Sequence, residues 1–325
     1  MTTKFLIIQT SFIGDVILGT AVVEKLALTF PDAQIDFLVR KGNESVLLDN
    51  PKINRTIVWE KRKDKILNLI RTIGLVRKGK YDYVINLHRF ASSGIITFLS
   101  GSKFKIGFHN NPFSFCYTHK YRHSLEKATH EVERNHQLIT FLTDENSTKP
   151  RLYPSVQDEE MVSKFKSGKY ICIAPGSVWT TKRLPLSKWV ELCNRTQCNI
   201  YILGAPNESA LAQEIIDNSI HRNMVSLCNS LTLLQSAALM KDAAMNYVND
   251  SAPLHLCSAV NAPCIAFFCS TVPEFGFGPL SDGALAIQTK LELPCKPCGV
   301  HGKDTCPEGH FKCGTTISID NISFQ

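Results

Sequence analysis

Three short segments carry residues whose types and spacing suit chemistry. The first is Ile7-Ile8-Gln9-Thr10-Ser11-Phe12-Ile13-Gly14-Asp15-Val16. An apolar run ends at Gln9, the hydroxyls of Thr10 and Ser11 follow, and Gly14-Asp15 opens an amphipathic stretch. Free amides at such a helix start attract an anion or a carboxylate. Asp15 therefore reads in two ways. It either offsets the helix dipole, or it stands at the C-terminal edge of a sheet as a general base. The dipole is expected to keep its pKa low, so that it is ionised but weak at pH 7.

The second segment, Ala174 to Pro185, holds Gly176, Thr180, Thr181, Lys182 and Arg183. Small residues let a ligand approach the backbone, and two hydroxyls, an ammonium and a guanidinium suit a pyrophosphate. The alternative is a solvated Lys-Arg pair on a loop. The third segment is Asn249-Asp250-Ser251-Ala252-Pro253-Leu254-His255. Asp250 or Ser251 can cap a helix, with Pro253 in its first turn and His255 one turn in. It reads either as part of a ligand pocket or as a well-capped helix.

A fourth group lies in the tail, apart from these: Cys295, Cys298, Cys306 and Cys313, with His301 and His310 among them. One C-x2-C pair and two further thiols can close a tetrahedral zinc site, although the later spacings fit no standard finger or ribbon. Free thiols and disulfides are the alternatives. The chain has no G-x-G-x-x-G after its first strand, no H-E-x-x-H and no G-x-S-x-G, which removes the common dinucleotide and hydrolase signatures. Gly74 to Tyr81 mimics a phosphate loop, but it precedes a strand and has Tyr81 where Ser or Thr is required.

The elements that must position these residues alternate along the chain. Strands are predicted at 4–9, 35–39 and 83–87, with helices at 15–30 and 63–77. After a polar stretch at 143–154 the alternation resumes. Strands are expected at 170–174, 199–203, 224–227, 245–248 and 263–268, and helices at 187–195, 208–217, 231–240 and 252–260. Such alternation implies parallel α/β sheets. Two doubly wound domains, 1–150 and 151–325, are expected to face a central cleft with their strand C-termini.

The 325 residues suffice for two domains, and 44% hydrophobic with 20% charged residues excludes a disordered or fibrous chain. No run approaches the roughly 18 apolar residues of a membrane span, and the N-terminus lacks a signal-peptide core. A cytoplasmic protein is therefore expected. Residues 1–150 hold 22 Lys and Arg against 14 Asp and Glu, whereas residues 151–325 hold 14 against 15. The whole excess of +7 thus belongs to the first domain. That implies an anionic partner such as nucleic acid, an anionic membrane or a phosphorylated substrate, unless the charges are solvated helix faces. Eleven of the twelve cysteines follow Cys116, and without an export signal they are expected to be mostly buried thiols, ligands or catalytic groups.

Taken together, Thr10 to Asp15, Lys105-Ile106-Gly107-Phe108, Thr181 to Pro185, Asn249-Asp250-Ser251 with His255, and the cysteine tail resemble glycosyltransferase family 9. This is the family of ADP-heptose:lipopolysaccharide heptosyltransferases, and the resemblance is closest to its heptosyltransferase II branch. It spans most of the chain and implies the GT-B architecture, with the acceptor on the first domain and the nucleotide-sugar donor on the second. By this resemblance Asp15 is the base that deprotonates the acceptor hydroxyl in one inverting displacement, with no metal needed. Thr180, Thr181 and Lys182 would hold the donor diphosphate, completed by Asp250, Ser251, Ala252, His255, Ser270 and Thr271. Lys103, Lys105, Lys120 and Arg122, with Thr10 and Ser11, are the expected acceptor contacts, at the cytoplasmic face of the inner membrane. The acceptor would be anionic lipopolysaccharide inner core, and nucleic acid is not expected. Three positions depart from the family pattern. Ala252 stands for Gly, Thr232 for an acidic residue against the donor ribose, and Phe268-Cys269-Ser270 for Y-G-P. The departure at Thr232 keeps other nucleotide sugars open as donors. A non-catalytic nucleotide- or glycan-binding protein and a sugar-nucleotide 2-epimerase of the same fold are the alternatives.

Overall fold

The computed structural model describes residues 2–125, 128–320 and 322. The chain divides into two compact units, Met1–Tyr153 and Pro154–Gln325. Unit 1 contains β1 (Lys4–Ile8), α1 (Ile13–Thr29), β2 (Gln34–Arg40), β3 (Arg55–Trp59), α2 (Lys65–Gly79), β4 (Tyr83–Asn86), α3 (Ala91–Phe98), β5 (Phe104–Phe108), β6 (His119–Tyr121) and α4 (Glu131–His136). Unit 2 contains α5 (Val156–Ser163), β7 (Tyr170–Ala174), α6 (Leu186–Asn194), β8 (Asn199–Ile202), α7 (Ser209–Asn218), β9 (Met224–Ser226), α8 (Leu233–Lys241), β10 (Met245–Asn249), α9 (Ala252–Val260), β11 (Cys264–Phe268), β12 (Leu285–Gln288) and α10 (Lys312–Thr315).

Each unit builds one six-stranded, all-parallel sheet, ordered β3-β2-β1-β4-β5-β6 and β12-β11-β10-β7-β8-β9. Both are the doubly wound Rossmann order, in which the winding direction reverses beside the first strand. The crevice past the strand C-termini at that point is where such sheets bind ligands. In unit 1 it lies between β1 and β4, and in unit 2 between β7 and β10. Helices cover both faces of a parallel sheet, so its central strands are near-continuous apolar runs. Phe5–Ile8, Tyr170–Ala174 and Cys264–Phe268 are buried throughout.

Helix α1 is buried along Val16–Leu26. Glu24 and Lys25 are included because each has a partner: Glu24 pairs with Lys52, and Lys25 Nζ lies 2.5 Å from Asp144. Strands β3, β5, β6 and β12 and helices α3, α4, α5 and α10 do not appear in the sequence reading. The four strands are five residues long or shorter, and β6 and β12 are polar or exposed edges, which weakens their period-2 signal. Helix α3, Ala-Ser-Ser-Gly-Ile-Ile-Thr-Phe, is poor in helix formers. Tertiary packing fixes it: a Cβ at Gly94 would lie 2.2 Å from Asn111 Oδ1, and Asn111 Nδ2 donates to the carbonyls of His88 and Phe90. The phosphate-loop mimic at Gly74 is simply the end of α2 and its turn.

Candidate functional site

In unit 1 the switch point is bridged by a hydrogen bond of 3.0 Å between Thr10 Oγ1, after β1, and His88 Nδ1, after β4. Asp15 is the third residue of α1, and its Oδ2 accepts the Phe12 N–H at 3.2 Å. Its carboxyl is pushed up to about 6, foremost by burial and then by the negative charge of Glu131. Hydrogen bonds from Ser11 and Phe12 and the charge of Arg89 pull the other way. This corrects the low pKa expected from the helix dipole. The start of α1 is half-buried, with Phe12 exposed, and the desolvation of the Asp15 carboxyl by the surrounding protein outweighs the dipole.

Glu131, the first residue of α4, is itself buried. Burial pushes its carboxyl up, but hydrogen bonds from His123 and Arg134 and the Arg134 charge hold it below the ordinary range. His123 Nε2 lies 3.1 Å from Glu131 Oε2, and Arg134 Nε donates to the same oxygen at 2.8 Å. Arg89 Nη1 lies 3.2 Å from His123 Nδ1. A guanidinium can only donate, so Nδ1 accepts and Nε2 carries the proton facing Glu131. Beyond them stand Arg40 at the end of β2 and Lys61 just past β3. Burial lowers the pKa of both, reinforced by Arg62 on Arg40 and by Arg40 on Lys61. Burial together with Lys61, Arg89 and Arg40 pushes His88 down to about 3. The C-terminal edge of this sheet is thus a positive field with one weakly acidic carboxyl, Asp15, inside it.

The predicted acceptor lysines lie elsewhere. Lys103 and Lys105 occupy the N-terminal end of β5, the sheet edge opposite Asp15, with Lys103 over the Phe104 ring and Lys105 Nζ donating to Ser102 O at 2.7 Å. Lys120 is exposed in edge strand β6, and Arg122 is exposed just beyond its end. Sequence reasoning missed Arg40, Lys61, His88, Arg89, His123 and Glu131. For His88 and Arg89 a signal existed: they directly follow the predicted strand at 83–87, at the sheet edge where ligands bind.

In unit 2 the residues predicted for a donor site converge. Lys182 Nζ lies 2.7 Å from Asp250 Oδ2, and Thr271 Oγ1 donates to the same oxygen at 2.6 Å. Ser270 Oγ donates to Thr181 Oγ1 at 3.1 Å. Asn249, the last residue of β10, fixes the loop after β7 by accepting the Leu184 N–H at 2.9 Å and donating to Pro175 O at 2.7 Å. Thr180 is exposed at the start of the short 3-10 turn Thr180–Lys182, and Ala252 opens α9. Ser251 is the N-cap of α9 by position, but its hydroxyl turns to Gly176 O and Asn249 O at 3.4 Å each. Neither it nor Asp250 caps in the expected manner, because Asp250 is committed to Lys182 and Thr271. His255 is buried in the first turn, edge-on to Phe277. Thr232 caps α8, accepting the Gln235 N–H at 3.1 Å.

The tail is not separate from this cluster. Cys298 N donates to Ser270 O at 2.8 Å, Lys303 N donates to Thr181 Oγ1 at 2.7 Å, and Thr181 N returns a bond to Lys303 O at 3.0 Å. Gly302, at φ +78°, lies so close that a Cβ would meet Lys182 Cγ at 2.9 Å. All twelve cysteines are free, seven of them buried. Burial and then the neighbouring thiols push Cys313 up to about 11 and raise Cys298. Cys295 Sγ lies 3.9 Å from His310 Nε2. Among the described residues, however, no three His, Cys, Asp or Glu side chains converge into a metal-holding group.

Comparison with known proteins gives this arrangement a context. The profile of glycosyltransferase family 9 (heptosyltransferase) matches residues 68–309. The chain is 26% identical over 278 residues to lipopolysaccharide heptosyltransferase 3 of Escherichia coli, covering 80% of this chain and 82% of that protein. It is 24% identical over 294 residues to lipopolysaccharide heptosyltransferase 1 of Campylobacter coli, covering 82% and 84%. Its fold is similar to that of E. coli ADP-heptose lipopolysaccharide heptosyltransferase II, with a TM-score of 0.77, 20% identity, and coverage of 91% of this chain and 96% of that one. The fold is of the GT-B class, with two Rossmann-like units. With three-quarters of its length inside the family profile and both switch points carrying the residues described above, the chain belongs to glycosyltransferase family 9, the heptosyltransferases.

Proposed function

We propose that the protein is an inverting heptosyltransferase that moves heptose from ADP-heptose to the inner core of lipopolysaccharide at a membrane surface. The observation that carries this reading is the Asp15 carboxyl, desolvated at the switch point of unit 1 and raised to about 6. At neutral pH it is ionised, yet it is a stronger base than an exposed aspartate, which suits proton removal from a sugar hydroxyl. In the proposed step the acceptor hydroxyl gives its proton to Asp15 as its oxygen attacks C1 of the heptose. The C1–O bond to the diphosphate breaks, ADP leaves with the electron pair, and the configuration at C1 inverts.

The diphosphate belongs to unit 2 in this scheme. Lys182 commits one N–H to Asp250 and keeps two further donors for phosphate oxygens. Asp250 and Thr271 hold the ammonium in place before the donor arrives. The start of α9 adds its amides as charge develops on the leaving group, so that catalysis draws its positive charge from the protein itself. The acceptor's phosphates or carboxylates would lie against Arg40, Lys61 and Arg89, with Arg122 at the same sheet edge. Lys103 and Lys105, on the opposite edge, are not part of this reading.

The test is transfer itself. ADP-heptose and a delipidated, heptose-free inner-core oligosaccharide are incubated with the enzyme, and the product is analysed by mass and by the anomeric proton coupling. A product one heptose heavier with inverted C1 is expected. Failure to transfer, or release of free heptose from the donor without acceptor, defeats the reading.

A further inference from the structure

The basic excess of unit 1 is concentrated in one place. Residues 61–80 contain eight Lys or Arg against one acid, Asp64, a net of +7 that equals the net charge of the entire chain. This segment is α2 with its flanks. Its inner face is ordinary: Leu69, Ile73 and Val76 pack on the sheet in one cluster with Leu6, Ile8, Leu38 and Trp59, and Thr72 is buried. Its outer face is not ordinary. Ile66, Leu67 and Ile70 are 75%, 58% and 60% exposed, grouped by the i, i+1, i+4 spacing on the side away from the sheet. Arg71 and Lys78 flank them, both exposed. Among the described residues none of the eight cations forms a salt bridge. The apolar exposure continues beyond the helix. Arg77 donates to Leu99 O at 3.2 Å, and there Phe98 and Phe115 lie exposed, in ring contact with each other and with Phe113.

We infer that the outer face of α2 docks the protein on an anionic phospholipid bilayer, with Ile66, Leu67 and Ile70 entering the headgroup–acyl boundary and the surrounding Lys and Arg meeting lipid phosphates. This deepens the membrane-surface reading above and rests on it only for the location. An interfacial helix is recognised by this combination of bare branched aliphatics and one-sided positive charge. Nucleic acid accounts for the cations but gives three exposed aliphatic side chains nothing to bind. A protein groove accounts for the aliphatics but not for a charge of a single sign unmatched by the molecule's own acids.

Vesicle flotation of the full-length protein tests the assignment. Vesicles of phosphatidylglycerol and phosphatidylcholine in equal parts are compared with pure phosphatidylcholine. The wild type is expected to float with the anionic vesicles at least tenfold more than with the neutral ones. Ile66→Ser/Ile70→Ser and, independently, Arg71→Glu/Lys78→Glu should each reduce flotation at least fivefold. Because these side chains are exposed, the melting temperature should be unchanged, and the second variant carries the test should the first be destabilised. Transfer to the delipidated acceptor should remain at the wild-type rate in both, which separates failure of docking from failure of the proposed reaction. Flotation that is absent in the wild type, undiminished in the variants, or abolished by an equal mass of duplex DNA overturns the assignment.

Discussion

The Lys182 ammonium lies 2.7 Å from the Asp250 carboxylate, both largely buried, with the Thr271 hydroxyl on the same carboxylate oxygen. A buried pair of this kind contributes little net stability when intact, but breaking it leaves one charge uncompensated. Lys182→Ala is expected to destabilise the protein by about 3–5 kcal/mol and to lower kcat/KM at least tenfold. The double variant Lys182→Met/Asp250→Leu should recover most of the stability and none of the activity. Denaturant unfolding with steady-state kinetics reads both, and recovery of activity in the double variant removes Lys182 from the phosphate site.

Asp15 ties activity and stability to pH in opposite directions. Its carboxyl titrates near 6 in the fold and near 3.9 in the unfolded chain. The base must be ionised, so kcat/KM should fall as pH drops through about 6.

The same shift costs stability. Below about pH 4 both states hold the proton and nothing is lost. As pH rises from there through 6 the unfolded chain ionises more readily, and by pH 7 the fold has lost roughly 2–3 kcal/mol. Asp15→Asn should therefore melt higher than wild type at pH 7 but not at pH 4, while transfer falls by about 10²–10⁴. Equal melting shifts at both pH values would count against a desolvated carboxylate.

Glu131 supplies part of the Asp15 shift, and Glu131→Gln should move the acid limb of the kcat/KM profile to lower pH. This charge sits among His123, Arg134 and, through His123, Arg89. Arg89 and Arg40 also act on Asp15 directly, in the opposite sense. A pH profile reads the displacement, and loss of rate with no movement of the limb would assign Glu131 a packing role alone.

Gly302 brings the tail against the Lys182 side chain in a left-handed backbone conformation. Gly302→Ala adds a strained φ and a close contact, worth on the order of 1–3 kcal/mol. Since that contact falls on Lys182, Thr181 and Ser270, affinity for ADP should weaken about tenfold. Isothermal titration with ADP checks this. An unchanged Kd would mean that the tail only covers the loop.

Among nucleotides, ADP is expected to raise the melting temperature more than GDP or UDP. At 100 times its Kd a ligand adds about 2.7 kcal/mol. Thr232, where the family resemblance leads one to expect an acidic ribose contact, is an exposed helix cap. A larger shift with GDP or UDP than with ADP would reassign the donor.

The sequence by itself determined the two parallel α/β units, the segments after the first strand of each, and the segment after the fourth strand of unit 2. Those features are local: apolar runs of strand length, amphipathic stretches of helix length, and hydroxyl, Gly and charged residues where they meet. Thr181, Lys182 and Asp250 were legible for the same reason, since each lies in the loop after a strong central strand, whereas Ser270 and Thr271 came only from the family resemblance. The tertiary structure alone decided the rest. Glu131, His123 and Arg40 are distant from Asp15 in the chain, and only the winding of the sheet brings their charges near it. The pKa of Asp15 reversed the local expectation, because burial is a property of the fold and the helix dipole is not its only determinant. Lys103 and Lys105 lie on the opposite sheet edge from Asp15 because strand direction, not charge, decides which edge a residue reaches. The charge imbalance is concentrated in residues 61–80 by the sequence itself, but only the tertiary structure shows that Ile66, Leu67 and Ile70 stand bare on the outer face of the helix among those cations.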